Sequence, residues 1–327
     1  MSLSRRLLLA GSAATLAGPA LAQGRSIRLI VAFPPGGAVD ILGRTLAERL
    51  SPVLGQTVVV ENRGGAGGVI GANAIARGEH DGSVIGLIGA TALCAVPFMT
   101  TRLPFDPRRD LAPVSLITDG ALLCVVNAET ARRHGWTGFR ALIRWSRANP
   151  ERVRMGSSGA GTSSHINIEA INHFAEARIL HVPYRGGGPA INDLVAGNID
   201  MMFDVMPALM PHVEAGRFLA FAVSSGPRLA VLPQVPGMAD FADLGLGQHS
   251  AATWNAVMAP GGTPEPVIAR LHRAVRTVGA DPEVIERLRP LGYGAVTSET
   301  PAHLARLIAR DTPVWQRLVE ISGARLE

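Results

Sequence analysis

The chain has 327 residues, 47% of them hydrophobic, enough for a large core and, at roughly 100 to 200 residues per domain, for two domains. Its 31 basic residues against 26 acidic ones give a formal charge of +5, and since the sequence contains no lysine these basic residues are all arginines. They stand singly or in pairs and aromatics make up only 5%, which argues against the clustered basic and aromatic surface a nucleic-acid partner needs.

Residues 1–22 read as an export signal of twin-arginine character. Ser4-Arg5-Arg6 opens an apolar core from Leu7 to Ala17, and Ala20-Leu21-Ala22 offers a small-x-small cleavage site. The general secretory route is open to the same segment. No later stretch gives about 18 uninterrupted apolar residues, so the mature chain is expected to be soluble and periplasmic. Cys94 and Cys124 sit in apolar contexts that suit a free buried thiol as well as a disulfide, and they are too few for a metal site.

In chain order, Ile27 to Phe33 reads as a strand, Ile41 to Leu50 as a helix, Thr57 to Glu61 as a strand, Val69 to Arg77 as a helix and Val84 to Ile88 as a strand. This alternation predicts right-handed βαβ units on a parallel sheet. Leu122 to Val126 is a further β-rich run. A second series follows: helix Phe139 to Ala148, strand Val153 to Met155, helix Ile166 to Ala175, strand Leu180 to Val182, helix Pro189 to Ala196 and strand Met201 to Phe203. After Gly216 comes another strand, FLAFAVSS, and from Pro264 the periodicity is helical. Two α/β lobes with helices at the end are expected.

Several strand-to-helix corners are candidates for chemistry. FPPGGAVD, Phe33 to Asp40, places Gly36 and Gly37 where an anion can approach the unpaired N–H groups of a helix start. Asp40 there can cap the helix, hold water or meet a ligand's amine. MGSSGAGTSSH, Met155 to His165, repeats the plan in the second series and adds the hydroxyls of Ser157, Ser158, Thr162, Ser163 and Ser164, which can bind a carboxylate without a buried positive charge. HVPYRGGGPA, His181 to Ala190, ends a strand and opens a helix, with Tyr184 and Arg185 in reach of a cleft; Asp204 closes a strand, where open α/β sheets place ligands.

Other motifs fail on spacing. In ENRGGAGGVIG, Gly65 and Gly67 lack the third glycine of a dinucleotide fingerprint because position 70 is Ile70, and a phosphate-binding P-loop needs a lysine. Ser158, His165 and Asp204 can be written as a hydrolase triad, yet the nucleophile elbow misses its last glycine at Ala160. His134, His173 and His181 show no metal-ligand spacing.

VAFPPGGAVD, VVVENRGGAGGVIGANAIA, HVPYRGGGPAINDLVAGNIDMMFD and WNAVMAPGGTPEPVIARL, in this order from Ile27 onward, closely resemble the Bug family of extracytoplasmic solute receptors for tripartite tricarboxylate transporters. The resemblance implies an α/β, two-lobed periplasmic binding protein of the Venus-flytrap kind, type II-like, with two crossover segments. Lobe one would span 25–126 plus 251–327, with both cysteines, and lobe two 127–250. It implies no catalytic residue, cofactor or metal, a small carboxylate bound between the lobes of a monomer, and membrane transporter subunits as partners. A ligand-sensing receptor for a signalling partner is the alternative on the same fold, and an exported serine hydrolase the alternative from another class. Carried over by motif, Phe33, Gly36, Gly37, Ala38 and Asp40 form the lobe-one clamp, and Ser157, Ser158, Gly159, Thr162, Ser163 and His165 its partner. Thr91 would be a polar loop residue, with Tyr184, Arg185 and Asp204 on the far wall. Leu93, Cys94 and the all-glycine run Gly186 to Gly188 depart from the family's more polar pattern.

Overall fold

The computed structural model describes residues 26–326 apart from Gln248, Ala252 and Gly292. The expected export signal lies outside the described residues. In chain order the elements are β1 (Ile27–Val31), α1 (Ala38–Leu54), β2 (Val58–Asn62), α2 (Val69–Ala76), β3 (Val84–Gly89), β4 (Leu111–Gly120) and β5 (Leu122–Asn127). Then come α3 (Ala128–His134), α4 (Phe139–Ala148), β6 (Val153–Ser157), α5 (Ser163–Phe174), β7 (Ile179–Pro183), α6 (Gly187–Ala196) and β8 (Met201–Val205). The chain finishes with α7 (Met206–Glu214), β9 (Phe218–Val223), β10 (Thr253–Pro260), α8 (Glu265–Gly279), α9 (Pro282–Leu288), β11 (Gly294–Ala295) and α10 (Pro301–Ser322).

The strands form two sheets, β11-β4-β10-β3-β1-β2 and β7-β6-β8-β5-β9, each the centre of one lobe. Period-two alternation splits β1 between two cores: Ile27, Leu29 and Val31 join Leu42, Leu46 and Leu50 of α1, while Ile30 joins Ala72 and Ile75 of α2. In the second sheet Cys124, Met155 and Phe203 face α4 and α5 through Leu142, Ile143 and Ile168, and Leu123, Val125 and Met202 face Leu194 of α6 and Leu209 of α7.

Neither sheet is purely parallel, contrary to expectation. β1 runs parallel to β2 and β3, and β6 to β7 and β8, as the βαβ units require. However, β10 is antiparallel to β3 and β4, and β5 is antiparallel to β8 and β9. These antiparallel strands carry the chain between lobes. β4 ends at Gly120 in the first sheet, and two residues on β5 begins in the second. The expected lobe limit at Val126 is therefore corrected: Leu122–Val126 belongs to the second sheet, between β8 and β9, and its continuous apolar run suits a strand covered on both faces. Cys94 and Cys124 consequently sit in different cores, both buried and free.

The return passage runs through 224–252, and Ser224 ties it to the outward one. Leu122 N–H donates to Ser224 Oγ at 2.9 Å, and Ser224 Oγ donates to the Ala251 carbonyl at 2.9 Å. Ser224 N–H donates to the Leu122 carbonyl and Ala251 N–H to the Ser224 carbonyl, each at 2.9 Å. The C-terminal helix also bridges the lobes, since Leu304, Trp315 and Leu318 of α10 share a core with Ile166 and Ala170 of α5.

Candidate functional site

The first-lobe corner follows β1. Gly36 holds φ +85°, a conformation favouring glycine, whereas Gly37 at φ −86° and ψ 171° does not require one. Both are exposed, and a Cβ at either meets nothing within 4 Å. Gly37 is the N-cap of α1 and offers no capping side chain, so the first N–H groups of the helix, from Ala38 on, stay open to an incoming acceptor.

Asp40 stands behind this corner, only 3% exposed. It accepts from Gly36 N–H at 2.9 Å, Arg44 Nε at 3.0 Å and Asn62 Nδ2 at 2.9 Å, and Asn62 Nδ2 also reaches the Phe33 carbonyl at 3.2 Å. Burial alone would raise its pKa, but the Gly36, Arg44 and Asn62 hydrogen bonds outweigh it and hold the carboxyl below its ordinary value. Three of its about four acceptor sites are filled and it is 3% exposed, so of the three roles open to Asp40 its contacts are those of an internal brace.

In the second lobe the hydroxyls divide. Ser157, the last residue of β6, points inward: its Oγ lies 2.6 Å from His181 Nε2 and accepts from Gly159 N–H at 3.2 Å. Thr162 caps α5, donating to the Gly159 carbonyl at 2.7 Å and accepting from His165 N–H. Gly161 N–H donates to His165 Nδ1 at 3.0 Å, and the His165 ring stacks on His181 with centroids 4.1 Å apart. Ser163, half-buried, opens the helix. Ser158 differs, donating to Asp204 Oδ2 at 2.7 Å.

That bond disposes of the hydrolase arrangement. Serine and aspartate touch directly, while the His165 acceptor nitrogen is occupied by a backbone N–H and cannot take the serine proton. His165, Glu169 and His181 also bring donor atoms within 4.8 Å of one another. The two imidazoles stack nearly parallel at 11°, and His165 spends its Nδ1 lone pair on Gly161 N–H, which leaves the proton of the neutral ring on Nε2 and no lone pair for a metal.

The remaining expected residues are scattered. Tyr184 turns away: its hydroxyl donates to Asp193 Oδ2 on α6 at 2.7 Å, and its ring covers Gly156. Arg185 is exposed on the loop before α6. Thr91 opens a short wide helical turn, Thr91–Ala95, and is half-buried. Phe33 lies over Gly89 at the end of β3, beside the Asn255 amide.

Two buried residues absent from the sequence-based set lie in the first lobe beside this region. Asn255 of β10, 4% exposed, donates to Thr118 Oγ1 at 2.9 Å and hydrogen-bonds with Tyr293. The Tyr293 hydroxyl is pushed up to about 12, by burial first and then by the charge of Asp204 across from it. First-lobe Tyr293 and second-lobe Asp204 are thus within electrostatic reach of each other. Asn255 is the one polar residue in the run WNAVMAP of β10, a legible signal; Tyr293, in the loop before β11, carries none. A cavity of about 500 Å³ lies elsewhere, against Gly138, Arg140, Leu219 and Phe241.

Two α/β lobes joined by crossover strands, each with a polar strand-to-helix corner, define a two-lobed periplasmic binding protein. The family described as "Tripartite tricarboxylate transporter family receptor" matches residues 42–323, and the chain belongs to it. Protein BugT of Bordetella pertussis is 35% identical, with all of both chains covered. Among solved structures, periplasmic binding protein BugD superposes with TM-score 0.80 at 30% identity, covering 92% of this chain and 98% of that one. Rhodopseudomonas palustris Rpa4515 with adipate gives 0.81 at 28% identity over 92% and 98%. MatC of the same organism with bound malate gives 0.79 at 27% over 90% and 99%.

Proposed function

We propose that this chain is exported, loses residues 1–22 near Ala22, and captures a small carboxylate between its lobes as a monomer, presenting it to the membrane subunits of a tripartite transporter. The observation that carries the reading is the open, uncapped start of α1 at Gly37 in the first lobe, matched in the second lobe by a corner of hydroxyls at the start of α5. A helix start contributes at most about 2 kcal/mol toward an anion, whereas micromolar affinity needs about 8. Two opposed starts leave the rest to hydrogen bonds and water exclusion on lobe closure. The neighbours that hold adipate and malate support a small carboxylate as the ligand class.

A thermal-shift screen of the mature protein against mono-, di- and tricarboxylates, amino acids and aromatic acids tests this. A ligand at a hundred times its Kd adds about 2.7 kcal/mol. A panel without any stabilising acid, combined with mass spectrometry showing no co-purified ligand, rules the carboxylate reading out.

A further inference from the structure

Besides Asp40, the acid at a strand-to-helix corner is Asp204, near the end of β8, where open α/β sheets place their ligands. It is 8% exposed. Ser158 Oγ donates to its Oδ2 and Val205 N–H to its Oδ1, both at 2.7 Å. Each oxygen thus accepts one bond, and an ionised carboxylate offers about four lone-pair sites. Two of them are filled by these bonds. Among the described residues no cation acts on Asp204, and burial pushes its pKa up. A buried charge without full hydrogen bonding is expensive to hold.

The protein's own residues leave that need standing. Gly187, the first residue of α6, presents only backbone to Oδ2, and a Cβ there would come within 2.8 Å of it. The site is therefore an acceptor with spare capacity, beside a hydroxyl already committed to it and opposite Tyr293. A second ligand carboxylate brought to this point would meet like charge, whereas a hydroxyl or ammonium would fill the vacant acceptor positions.

Resting on the carboxylate-receptor reading, we infer that Asp204 makes this receptor selective for hydroxy- or amino-carboxylates over plain acids of the same skeleton. Asp204 recognises the donor, and the neighbouring helix starts take the carboxylate.

The test is calorimetric titration of the mature protein with matched series: succinate, malate and aspartate; glutarate, 2-hydroxyglutarate and glutamate; propionate, lactate and alanine. In the series that binds, the hydroxyl- or amino-bearing member is expected to bind at least about tenfold tighter than its plain counterpart, a gap that Asp204→Asn closes to about twofold. The hydroxyl and ammonium arms tell the two donors apart. A plain acid that binds as tightly as both its counterparts overturns the inference alone, as does a preference that survives Asp204→Asn. Should that variant not fold, the wild-type comparison decides by itself. If no acid in any series binds, the carboxylate reading falls and this inference with it.

Discussion

The corner at Phe33–Asp40 and the corner at Ser157–His165 are held in shape by opposite means. In the first lobe the loop shows bare backbone, and one acid, Asp40, gathers Gly36, Arg44 and Asn62 from behind. In the second the loop carries hydroxyls and is held without any ion pair at its turn, by Ser157 on His181, Thr162 on Gly159 and Gly161 on His165. A loop that must keep some N–H groups open has to satisfy its others internally. A charged acceptor does this with one residue and a neutral network with several, so an acid beside a glycine corner is read more safely as the loop's own brace than as a ligand contact.

Breaking the brace is expected to have the largest effect. Asp40→Ala leaves three donors without their acceptor and should lower stability by about 3 kcal/mol in urea unfolding, with ligand affinity falling alongside. Unchanged stability would show that water replaces the carboxylate and that the corner does not depend on it. Gly37→Leu separates access from folding. Its backbone angles suit any residue, so unfolding should shift by less than about 1 kcal/mol while titration finds binding weakened about a hundredfold. Normal affinity in that variant would take the first corner out of the site.

The hydroxyl side is tested by Ser158→Ala combined with Thr162→Ala, for which calorimetry should find binding at least about tenfold weaker. The smallest effect should be the pH response of the neutral network. Burial, followed by the nearby His165, depresses His181 to about 4. A group lowered in the folded state contributes stability that is complete above its unfolded value of about 6.5 and fades as pH falls toward the folded one. Thermal midpoints should therefore decline through that window, and His181→Gln should flatten part of the slope; His249, depressed to about 4 by burial in the return passage, supplies another part. An unaltered slope in His181→Gln would mean that the imidazole stack does not sense acid.

Both corners are legible in the sequence because glycines and hydroxyls at strand-to-helix junctions have local causes. What each side chain faces is not local. Ser157 and Ser158 are adjacent and chemically identical, yet one bonds inward to His181 and the other reaches Asp204, because successive residues leaving a strand point to opposite sides. Tyr184 reads as a cleft residue until α6 places Asp193 beneath it. β4 escapes a periodicity reading because Pro113, Ser115 and Thr118 interrupt it, and the last two take hydrogen bonds from partners far along the chain, Ser298 and Asn255. The lobe limit at Val126 errs for a similar reason, since nothing in LLCVV says which sheet will take it.

The Ser224 junction constrains how such a molecule can move. Two independent connections would let the halves twist, slide and open separately, whereas two connections laced together at a single buried hydroxyl must turn as one. The expected motion then reduces to a single angle, so a filled and an empty molecule differ in outline in one reproducible way. Any membrane component that docks across both halves can sort them by silhouette, with no need to sense the cargo itself.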